Sequence, residues 1–346
     1  MSYLINIIIL ILIILLIFYY INFLLKKKFI ENYTGIISDD FYKELDNNNF
    51  IVNKDEKTIK YCNNEECEIK SYDKHFNTDK AIKLAKDKFS TSSILEKNNI
   101  PIPKFIKINL QNENNYKVIF NMKNKNIDFP VVIKPIYGTF GIDVVTDIGN
   151  YNELDKYLNK YRVKYSELLL EEQIDGDCYR IYVFNNKIID VIKREKPYIL
   201  GNGRSTIGEL INIRNEEQKN MKMFPTKNVS ELVLKTQGYK IEDILEKDKK
   251  IFITNVINMH NGANISRIDI DSIPQKNIDI FLKTNKVLKI NSSGLDYLSN
   301  DITVDYDINN SKILEVNGTP DTEIHTLIKF KNENDSFFKR LVNNIF

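Results

Sequence analysis

The sequence lacks the features that disulfide-rich, zinc-binding and nucleic-acid-binding proteins depend on. Its 346 residues include only three cysteines, Cys62, Cys67 and Cys178, and no paired C-x-x-C motif. This odd number predicts reduced thiols in a cytosolic setting, and neither a disulfide framework nor a zinc site. Lysine plus arginine (49) nearly balance aspartate plus glutamate (47), so we expect no basic face and no nucleic-acid partner.

The first 25 residues also lack any charged side chain, and Tyr3–Leu25 consists almost entirely of Ile, Leu, Phe and Tyr. This run exceeds the roughly 20 residues that a helix needs to cross a bilayer. There is no basic start and no small-residue cleavage site, which favours an uncleaved anchor over a secretory signal. Three lysines follow at 26–28, and the positive-inside rule then predicts a single-pass membrane protein whose body lies on the cytoplasmic side.

The rest of the chain divides into a polar segment, residues 26–75, to which the sequence assigns no role, and one domain spanning residues 76–346. No internal repeat or low-complexity linker interrupts it after residue 30. Predicted helices and strands alternate without a strict βαβ rhythm, which favours an α+β fold over a doubly wound sheet.

A glycine loop lies between two predicted strands, Val131–Ile133 and Ile142–Thr146. The pattern predicts a hairpin whose glycines in Tyr137–Gly141 let the backbone approach a ligand closely. Backbone amides in such a loop can hold phosphate, with Lys134 at its base supplying positive charge. A plain flexible turn is the commoner explanation for glycines between strands.

Charged residues also lie on the predicted strands that follow. Leu168–Leu170 indicates a buried strand that runs into Glu171. Cys178–Phe184 and Lys187–Lys193 indicate a hairpin joined by an Asn-Asn turn. Arg180 and Arg194 therefore belong to a sheet, where they suit an anionic ligand, although a solvated face is the usual explanation for such residues.

Helical patterns occupy several other parts of the chain, and further strands are predicted at Phe50–Val52, Thr58–Tyr61, Lys104–Ile108, Ile251–Met259 and Leu295–Leu298. Ser205 or Thr206 is expected to cap the helix that begins at Ile207, with Glu209 in its first turn. The remaining helices are expected at 78–98 (as one helix or a pair), Tyr151–Lys164, Asn228–Glu246 with a break at Gly238, Pro274–Ile290 and Phe337–Ile345.

Near the C-terminal end, the stretch Lys312–Pro320 reads KILEVNGTP. Ile313, Leu314 and Val316 indicate a short buried strand, and alternation puts Glu315 and Asn317 on the same face. A carboxylate beside an amide oxygen is suitable ligand chemistry for Mg²⁺, which usually also holds substrate phosphates. The alternative is a solvated strand residue followed by a turn.

The order of these motifs resembles that of the ATP-grasp superfamily, and within it the ATP-grasp module of cyanophycin synthetases and bifunctional glutathione-synthesising enzymes. The resemblance covers residues 78–325. It is carried by seven stretches: AKDKFSTSSILEKNNIPIPKF, FPVVIKPIYGTFGIDV, LLLEEQIDGDCYRIYVFNNKII, VIKREKPYILGNGRSTIGELI, LKTQGYKIEDIL, GLDYLSNDI and ILEVNGTPDTEIH.

The resemblance implies two α+β subdomains that clasp ATP, and an ATP- and Mg²⁺-dependent ligase, with Mn²⁺ as an alternative metal. A carboxylate would take the γ-phosphoryl group, and an amine would attack the acyl phosphate to form an amide. The substrates would be an amino acid, a peptide or a related small acid together with an amine. The sequence leaves the oligomeric state open, and a homo-oligomer is one option because the relatives commonly associate.

The family's functional positions carry over by residue. Lys88 and Lys134 match lysines that reach the nucleotide phosphates, and Gly138, Thr139 and Gly141 match the mobile phosphate loop. The stretch Glu171, Glu172, Gln173 and Ile174 matches the adenine-reading hinge. Arg180 and Arg194 match cations near the transferred phosphate or substrate. The predicted metal ligands are Asp296, Glu315 and Asn317.

The sequence departs from the family on the substrate side. Thr254 and Gly262-Ala263 stand where the relatives carry an arginine and a Gly-Gly pair. We do not expect this chain alone to make cyanophycin or to complete glutathione synthesis, because the relatives' additional ligase domains do not fit within it. The sequence favours an active ligase, and the alternative is a membrane-tethered nucleotide-binding scaffold without ligase activity.

Overall fold

The computed structural model describes residues 38–346 except 64, 65, 140, 222, 227, 228, 255, 256 and 258–261. The helices are α1 Asp39–Asn47, α2 Asp79–Lys86, α3 Lys88–Lys97, α4 Asn115–Asn124, α5 Tyr151–Tyr161, α6 Ile207–Asn220, α7 Glu231–Thr236, α8 Gln275–Leu288 and α9 Phe337–Val342. The strands are β1 Ile51–Asn53, β2 Thr58–Asn63, β3 Glu66–Ser71, β4 Phe105–Asn109, β5 Val131–Pro135, β6 Val145–Ile148, β7 Glu167–Glu172, β8 Asp177–Phe184, β9 Lys187–Glu195, β10 Tyr198–Leu200, β11 Lys250–Phe252, β12 Asn264–Arg267, β13 Ser292–Ser299 and β14 Lys312–Asn317. Helices and sheets are therefore mixed as an α+β fold, as predicted.

The predicted membrane anchor requires a correction. Residues 3–25 lie outside the residues that the structure describes. Within the described part of the chain, no helix is long and apolar enough to cross a bilayer. The single-pass membrane location and the cytoplasmic orientation, both of which depended on the anchor, are wrong on this finding.

The first sheet contains the predicted phosphate hairpin. Its order is β4-β7-β5-β6, with all neighbours antiparallel. Helices α4 and α5 pack on one face, where Val118, Met122, Leu154 and Leu158 meet apolar strand residues in one buried cluster. Helix α4 was not predicted, because the span in which it lies, residues 109–128, is mostly polar. The Asn114 side chain caps the helix by accepting from the backbone N–H of Lys117 at 2.9 Å.

The central sheet has the order β12-β9-β8-β13-β14, again with antiparallel neighbours. The predicted Asn185-Asn186 turn joins β8 to β9, and both asparagines adopt positive φ angles, 46° and 60°, as a two-residue hairpin turn requires. One face of this sheet packs against α2, α3 and α8 in the largest apolar cluster. The other face carries charged side chains over part of its area, and Tyr182 and Phe184 at its end join a separate apolar cluster.

A small unit between β9 and β12 is built from α6, α7 and the β10-β11 pair. Thr206 caps α6 in a capping box with Glu209, as expected. The predicted helix over Asn228–Glu246 is wrong in its second half, because α7 ends before Gly238, whose φ is +86°. The following segment turns back instead, and its Ile241 carbonyl accepts from the backbone N–H of Gly208 at 2.9 Å.

The described part of the N-terminal segment forms α1 and the three-stranded sheet β1-β2-β3. Phe41 and Leu45 of α1 are fully buried, and they pack in one cluster with Phe338 and Leu341 of α9. Cys62 and Cys67 face each other across β2 and β3 and form a disulfide, so the prediction of reduced thiols is wrong for this pair. Cys178 is free and buried.

Candidate functional site

The two faces of the central sheet have opposite character. Because side chains alternate along a strand, Ile181, Leu295 and Val316 point into the apolar cluster beneath the sheet. The alternate positions carry charge. Arg180, Asp296 and Glu315 are consecutive cross-strand partners on β8, β13 and β14.

Asp296 lies between the two predicted arginines. Its Oδ1 atom is 2.8 Å from Arg180 Nε, and it accepts from Arg194 Nη2 at 2.7 Å. All three side chains are at most 14% exposed. Burial disfavours the charged form of Arg194, but the negative charge of Asp296 outweighs that penalty and raises the arginine's pKa. The cluster therefore presents two permanent cations held by one carboxylate.

Gly294 makes room for this cluster, and the sequence reasoning missed it. A Cβ atom at this position would lie 2.6 Å from Arg180 Nη1 and 2.8 Å from the Pro320 Cβ atom. Any larger residue would therefore push against the guanidinium and the proline ring. The signal in the sequence was a glycine inside a strand pattern, two residues before Asp296, which often marks a close approach of side chain to backbone.

Lys88 connects the central sheet to the glycine loop. It is the first residue of α3, and its Nζ atom lies 3.2 Å from Glu315 Oε1 and donates to the Gly138 carbonyl at 2.7 Å. The Lys88 side chain is 11% exposed and that of Glu315 is 31% exposed. A predicted phosphate-binding lysine, a predicted metal ligand and the predicted phosphate loop thus meet at one ammonium group.

Lys134 and Glu171 form a second, deeply buried pair within the first sheet. Lys134 Nζ lies 2.6 Å from Glu171 Oε2, and the two side chains are 9% and 5% exposed. Burial raises the pKa of Glu171, and the charge of Lys134 partly opposes this shift. Glu171 therefore holds the Lys134 ammonium group in place through a buried ion pair.

The next three hinge residues lie at the end of β7 and are half-buried. Glu172 Oε1 accepts from the backbone N–H of Lys104 at 2.8 Å. Gln173 uses both ends of its amide, accepting from the Asp147 N–H at 2.7 Å and donating to Asp147 Oδ1 at 2.8 Å. Ile174 follows at the strand exit. These contacts fix the segment that joins the two sheets.

The loop residues Gly138, Thr139 and Gly141 are exposed. Gly141 has a φ of +69°, a conformation that glycine adopts without strain. The Thr139 and Gly141 carbonyls accept from the N–H groups of Ile142 and Val144 at 3.3 and 3.2 Å. The loop is therefore a sequence of tight turns on the solvent side of Lys88.

The predicted metal ligands are neighbours but are engaged by other groups. Asp296 and Glu315 face each other across β13 and β14, and Asn317 Nδ2 donates to the Gly294 carbonyl at 3.3 Å. Among the residues described, no group of three or more His, Cys, Asp or Glu side chains is arranged to hold a metal. Two carboxylates and an amide oxygen nevertheless fit Mg²⁺, which usually takes one or two carboxylates and completes its shell with phosphates and water.

A buried polar cluster that the sequence reasoning did not predict lies on the same face of the sheet. Asp190 on β9 binds Arg267 of β12 through Oδ1, and its Oδ2 lies 2.8 Å from His325 Nδ1. His325 is completely buried, which lowers its pKa despite the opposing effect of Asp190. Asp190 sits four positions before Arg194, so strand alternation could have placed both on one face.

The residues that depart from the family pattern on the substrate side, Thr254 and Gly262-Ala263, lie where β11 and the start of β12 approach α6. Thr254 and Ala263 are buried. Arg214 of α6 reaches this region and donates to the Gly262 carbonyl at 2.6 Å and to Asn264 Oδ1 at 2.9 Å. An arginine from another element therefore contacts the altered loop.

Comparison with known proteins agrees with this architecture. Residues 85–256 match the family described as the RimK-like ATP-grasp domain. The cyanophycin synthetase of Synechocystis sp. is 28% identical over 254 residues, which cover 70% of this chain and 28% of the relative. The glutathione biosynthesis bifunctional protein GshAB of Clostridium perfringens is 28% identical over 273 residues, covering 76% of this chain and 34% of the relative.

Among solved structures, a bifunctional glutathione synthetase from Pasteurella multocida shares the fold with a TM-score of 0.58 at 16% identity. The match covers 83% of this chain and 41% of that protein. The chain thus spans about a third of the length of the two sequence relatives.

The two antiparallel sheets, with the glycine loop beside Lys88, form the kind of domain that residues 85–256 match, an ATP-grasp domain. More particularly, the chain carries a RimK-like ATP-grasp domain and is homologous to cyanophycin synthetase and GshAB.

Proposed function

We propose that this chain is an ATP- and Mg²⁺-dependent carboxylate–amine ligase that works through an acyl phosphate. Its substrates would be an amine and an amino acid, a peptide or a related small acid. The observation that carries the proposal is the meeting of Lys88, Glu315 and Gly138 beside the Arg180–Asp296–Arg194 cluster. The family membership of residues 85–256 supports it.

The roles are those that the resemblance implies, and the charge and position of the residues are compatible with them. Phosphoryl transfer needs positioned groups that neutralise oxygens and little covalent work from the protein. Lys88 and Lys134 would bind the nucleotide phosphates under Gly138, Thr139 and Gly141, and residues 171–174 would hold the adenine. Arg180 and Arg194 would neutralise the transferred phosphoryl group and the carboxylate that accepts it.

The first step would form a bond between a carboxylate oxygen of the substrate and the γ-phosphorus while the bond to ADP breaks. In the second step the amine would attack the acyl carbon, phosphate would leave and the ammonium proton would pass to solvent. Asp296, Glu315 and Asn317 would hold Mg²⁺, which supplies neutralisation of phosphate oxygens when bound. Mn²⁺ has the same preference for oxygen ligands.

The proposal is tested with the full chain and Mg-ATP against pooled amino acids and short peptides, singly and in pairs, with ADP and phosphate release as the readout. ADP that forms only when an acid and an amine are both present supports the ligase and identifies the substrates. Chelation of the metal with EDTA is expected to abolish this release, and restored Mg²⁺ is expected to recover it.

Two results would count against the proposal. Absence of any Mg-ATP binding would remove its basis. Tight Mg-ATP binding with no substrate-dependent turnover, even with peptide and protein acceptors, would favour a nucleotide-binding protein without ligase activity.

A further inference from the structure

The start of the glycine loop is tied to the first turn of α3 by a pair of side chains that no role above uses. The Tyr137 hydroxyl donates to Asp87 Oδ2 at 2.8 Å. The ring of Tyr137 is 64% exposed, so packing contributes little to its position. Its hydroxyl contact is therefore what orients this side chain at the base of the loop.

Each carboxylate oxygen of Asp87 accepts a different hydrogen bond. Oδ1 accepts from the backbone N–H of Ser90 at 2.9 Å and so caps α3. Oδ2 takes the Tyr137 hydroxyl. Burial alone would raise the pKa of Asp87, but the Ser90 amide and Tyr137 lower it overall, and the bond to Asp87 raises the pKa of Tyr137. At neutral pH the pair is thus a protonated phenol donating to a carboxylate.

Lys88, which follows Asp87, contacts the residues directly before and after Tyr137. Lys88 Nζ donates to the Gly138 carbonyl at 2.7 Å, and the Lys88 backbone N–H donates to the Ile136 carbonyl at 3.3 Å. The Lys88 ammonium would have to give up Gly138 to meet a nucleotide phosphate. The Tyr137–Asp87 bond involves neither of these groups, so it would still hold the loop when that exchange takes place.

We propose that Asp87 and Tyr137 are positioning residues for the nucleotide, an inference that rests on the proposed function. Their hydrogen bond keeps the glycine loop over Lys88, so that the loop amides, Lys88 and Lys134 face one triphosphate. Neither side chain touches the reacting atoms. The loss of either should weaken Mg-ATP binding and leave the acceptor substrates' binding unchanged.

The test uses the full chain with Tyr137→Phe and Asp87→Asn. Asparagine retains an oxygen that can cap α3, but an NH₂ group replaces the oxygen that accepts from the phenol. The Asp87→Asn variant therefore tests the contact with the loop while the helix cap is kept. Tyr116→Phe, at a tyrosine on α4 that is 76% exposed, is the matched control. Thermal denaturation of each variant reports whether the fold is retained.

We expect calorimetry to give an Mg-ATP dissociation constant about tenfold higher in each variant. This is the change in affinity expected from the loss of one charge-assisted hydrogen bond that is partly screened by solvent. The double variant should bind no more weakly than either single one, because both changes remove the same bond. KM for ATP should rise in the same proportion while KM for the acceptor stays constant. Tyr116→Phe should match the wild type.

A second readout does not require nucleotide. Chymotrypsin cuts after phenylalanine as well as tyrosine, so Tyr137→Phe keeps the cleavage site, and we expect it to be cut at position 137 several times faster than the wild type. Wild-type Mg-ATP affinity and wild-type cleavage in both variants would overturn the inference. If the wild type binds no Mg-ATP, the proposed function fails, and the cleavage rates still decide whether the pair holds the loop.

Discussion

Asp296 is the residue on which most of the site's charge depends. One carboxylate holds Arg180 and Arg194, and each of the three side chains is at most 14% exposed. Buried charges that lose their partner are destabilising, because the remaining ions have been removed from water without compensation.

We therefore expect Asp296→Asn to lower the free energy of unfolding by about 3 kcal/mol and to reduce ligase turnover at least a hundredfold. Urea denaturation and ADP release measure the two effects. Asp301→Asn is the control, since Asp301 lies on the exposed turn after β13. If Asp296→Asn were as active as the wild type, Asp296 would have no role in the proposed active site.

Gly294 is important for a different reason, because it leaves space for Arg180. Gly294→Ala is expected to displace the guanidinium from Asp296, cost about 1–3 kcal/mol of stability through overpacking and reduce turnover. The control is Gly149→Ala, where the added Cβ would meet its nearest atom, Glu153 Oε2, at an ordinary 3.6 Å. If the two variants behave alike in urea denaturation and in the ADP assay, the close approach at Gly294 is unimportant.

At the scale of single elements, the pairing of β5 with β7 buries Lys134 against Glu171. Lys134→Met would leave Glu171 without its main compensating charge and raise the pKa of this carboxyl further. In the wild type, Glu171 already binds its proton more tightly in the folded state than in the unfolded state. The contribution of Glu171 to stability therefore falls as pH rises from the ordinary glutamate pKa, about 4.3, to the raised folded value.

Lys134→Met should make this fall larger and extend it to higher pH, with a loss of about 3 kcal/mol at pH 8. The double variant Lys134→Met/Glu171→Gln should recover most of that stability but not Mg-ATP binding. Urea titrations from pH 4 to pH 9 and calorimetry distinguish the two effects. A double variant that binds Mg-ATP normally would contradict the role proposed for Lys134.

Strands β5, β7, β8, β9, β13 and β14 were predictable because each carries an alternating or continuous apolar run, whereas β12, with the sequence NISR, was not. Asn185-Asn186, Thr206 with Glu209, and the positions of Arg180 and Glu315 could all be placed from local patterns. The pairing of Asp296 with two arginines could not, because register between distant strands depends on tertiary packing. Helix α4 was missed because the Asn- and Lys-rich residues around it obscured the helical spacing of Val118 and Met122. The disulfide was missed because composition does not show that Cys62 and Cys67 are opposite each other in a hairpin.

At the scale of the whole molecule, Asp190, Arg267 and His325 join β9 and β12 to the segment that follows β14. Burial lowers the pKa of His325, and hydrogen bonds and charges from His325 and Arg267 lower that of Asp190 against the opposing effect of burial. For both groups the unfolded state binds protons more readily than the folded state. The contribution of these two groups to stability should therefore rise with pH until histidine is deprotonated in the unfolded chain, about pH 6.5.

His325→Asn is expected to lower stability at pH 8 by about 2 kcal/mol, through the loss of a buried hydrogen bond to a charged group. It should also flatten the rise in stability between pH 5 and pH 7. Urea denaturation at each pH tests both. An unchanged slope in the variant would show that His325 does not cause the pH dependence.

The small unit of α6, α7, β10 and β11 has a further consequence for how such an enzyme diversifies. The buried members of its apolar cluster all come from residues 199–253, while the arginines, lysines and carboxylates of the site are supported by the other two sheets. A segment with a core of its own can be exchanged between homologues without repacking its neighbours. About fifty residues could thus be replaced together, while the lysines, arginines and carboxylates proposed to bind ATP and Mg²⁺ stay in place.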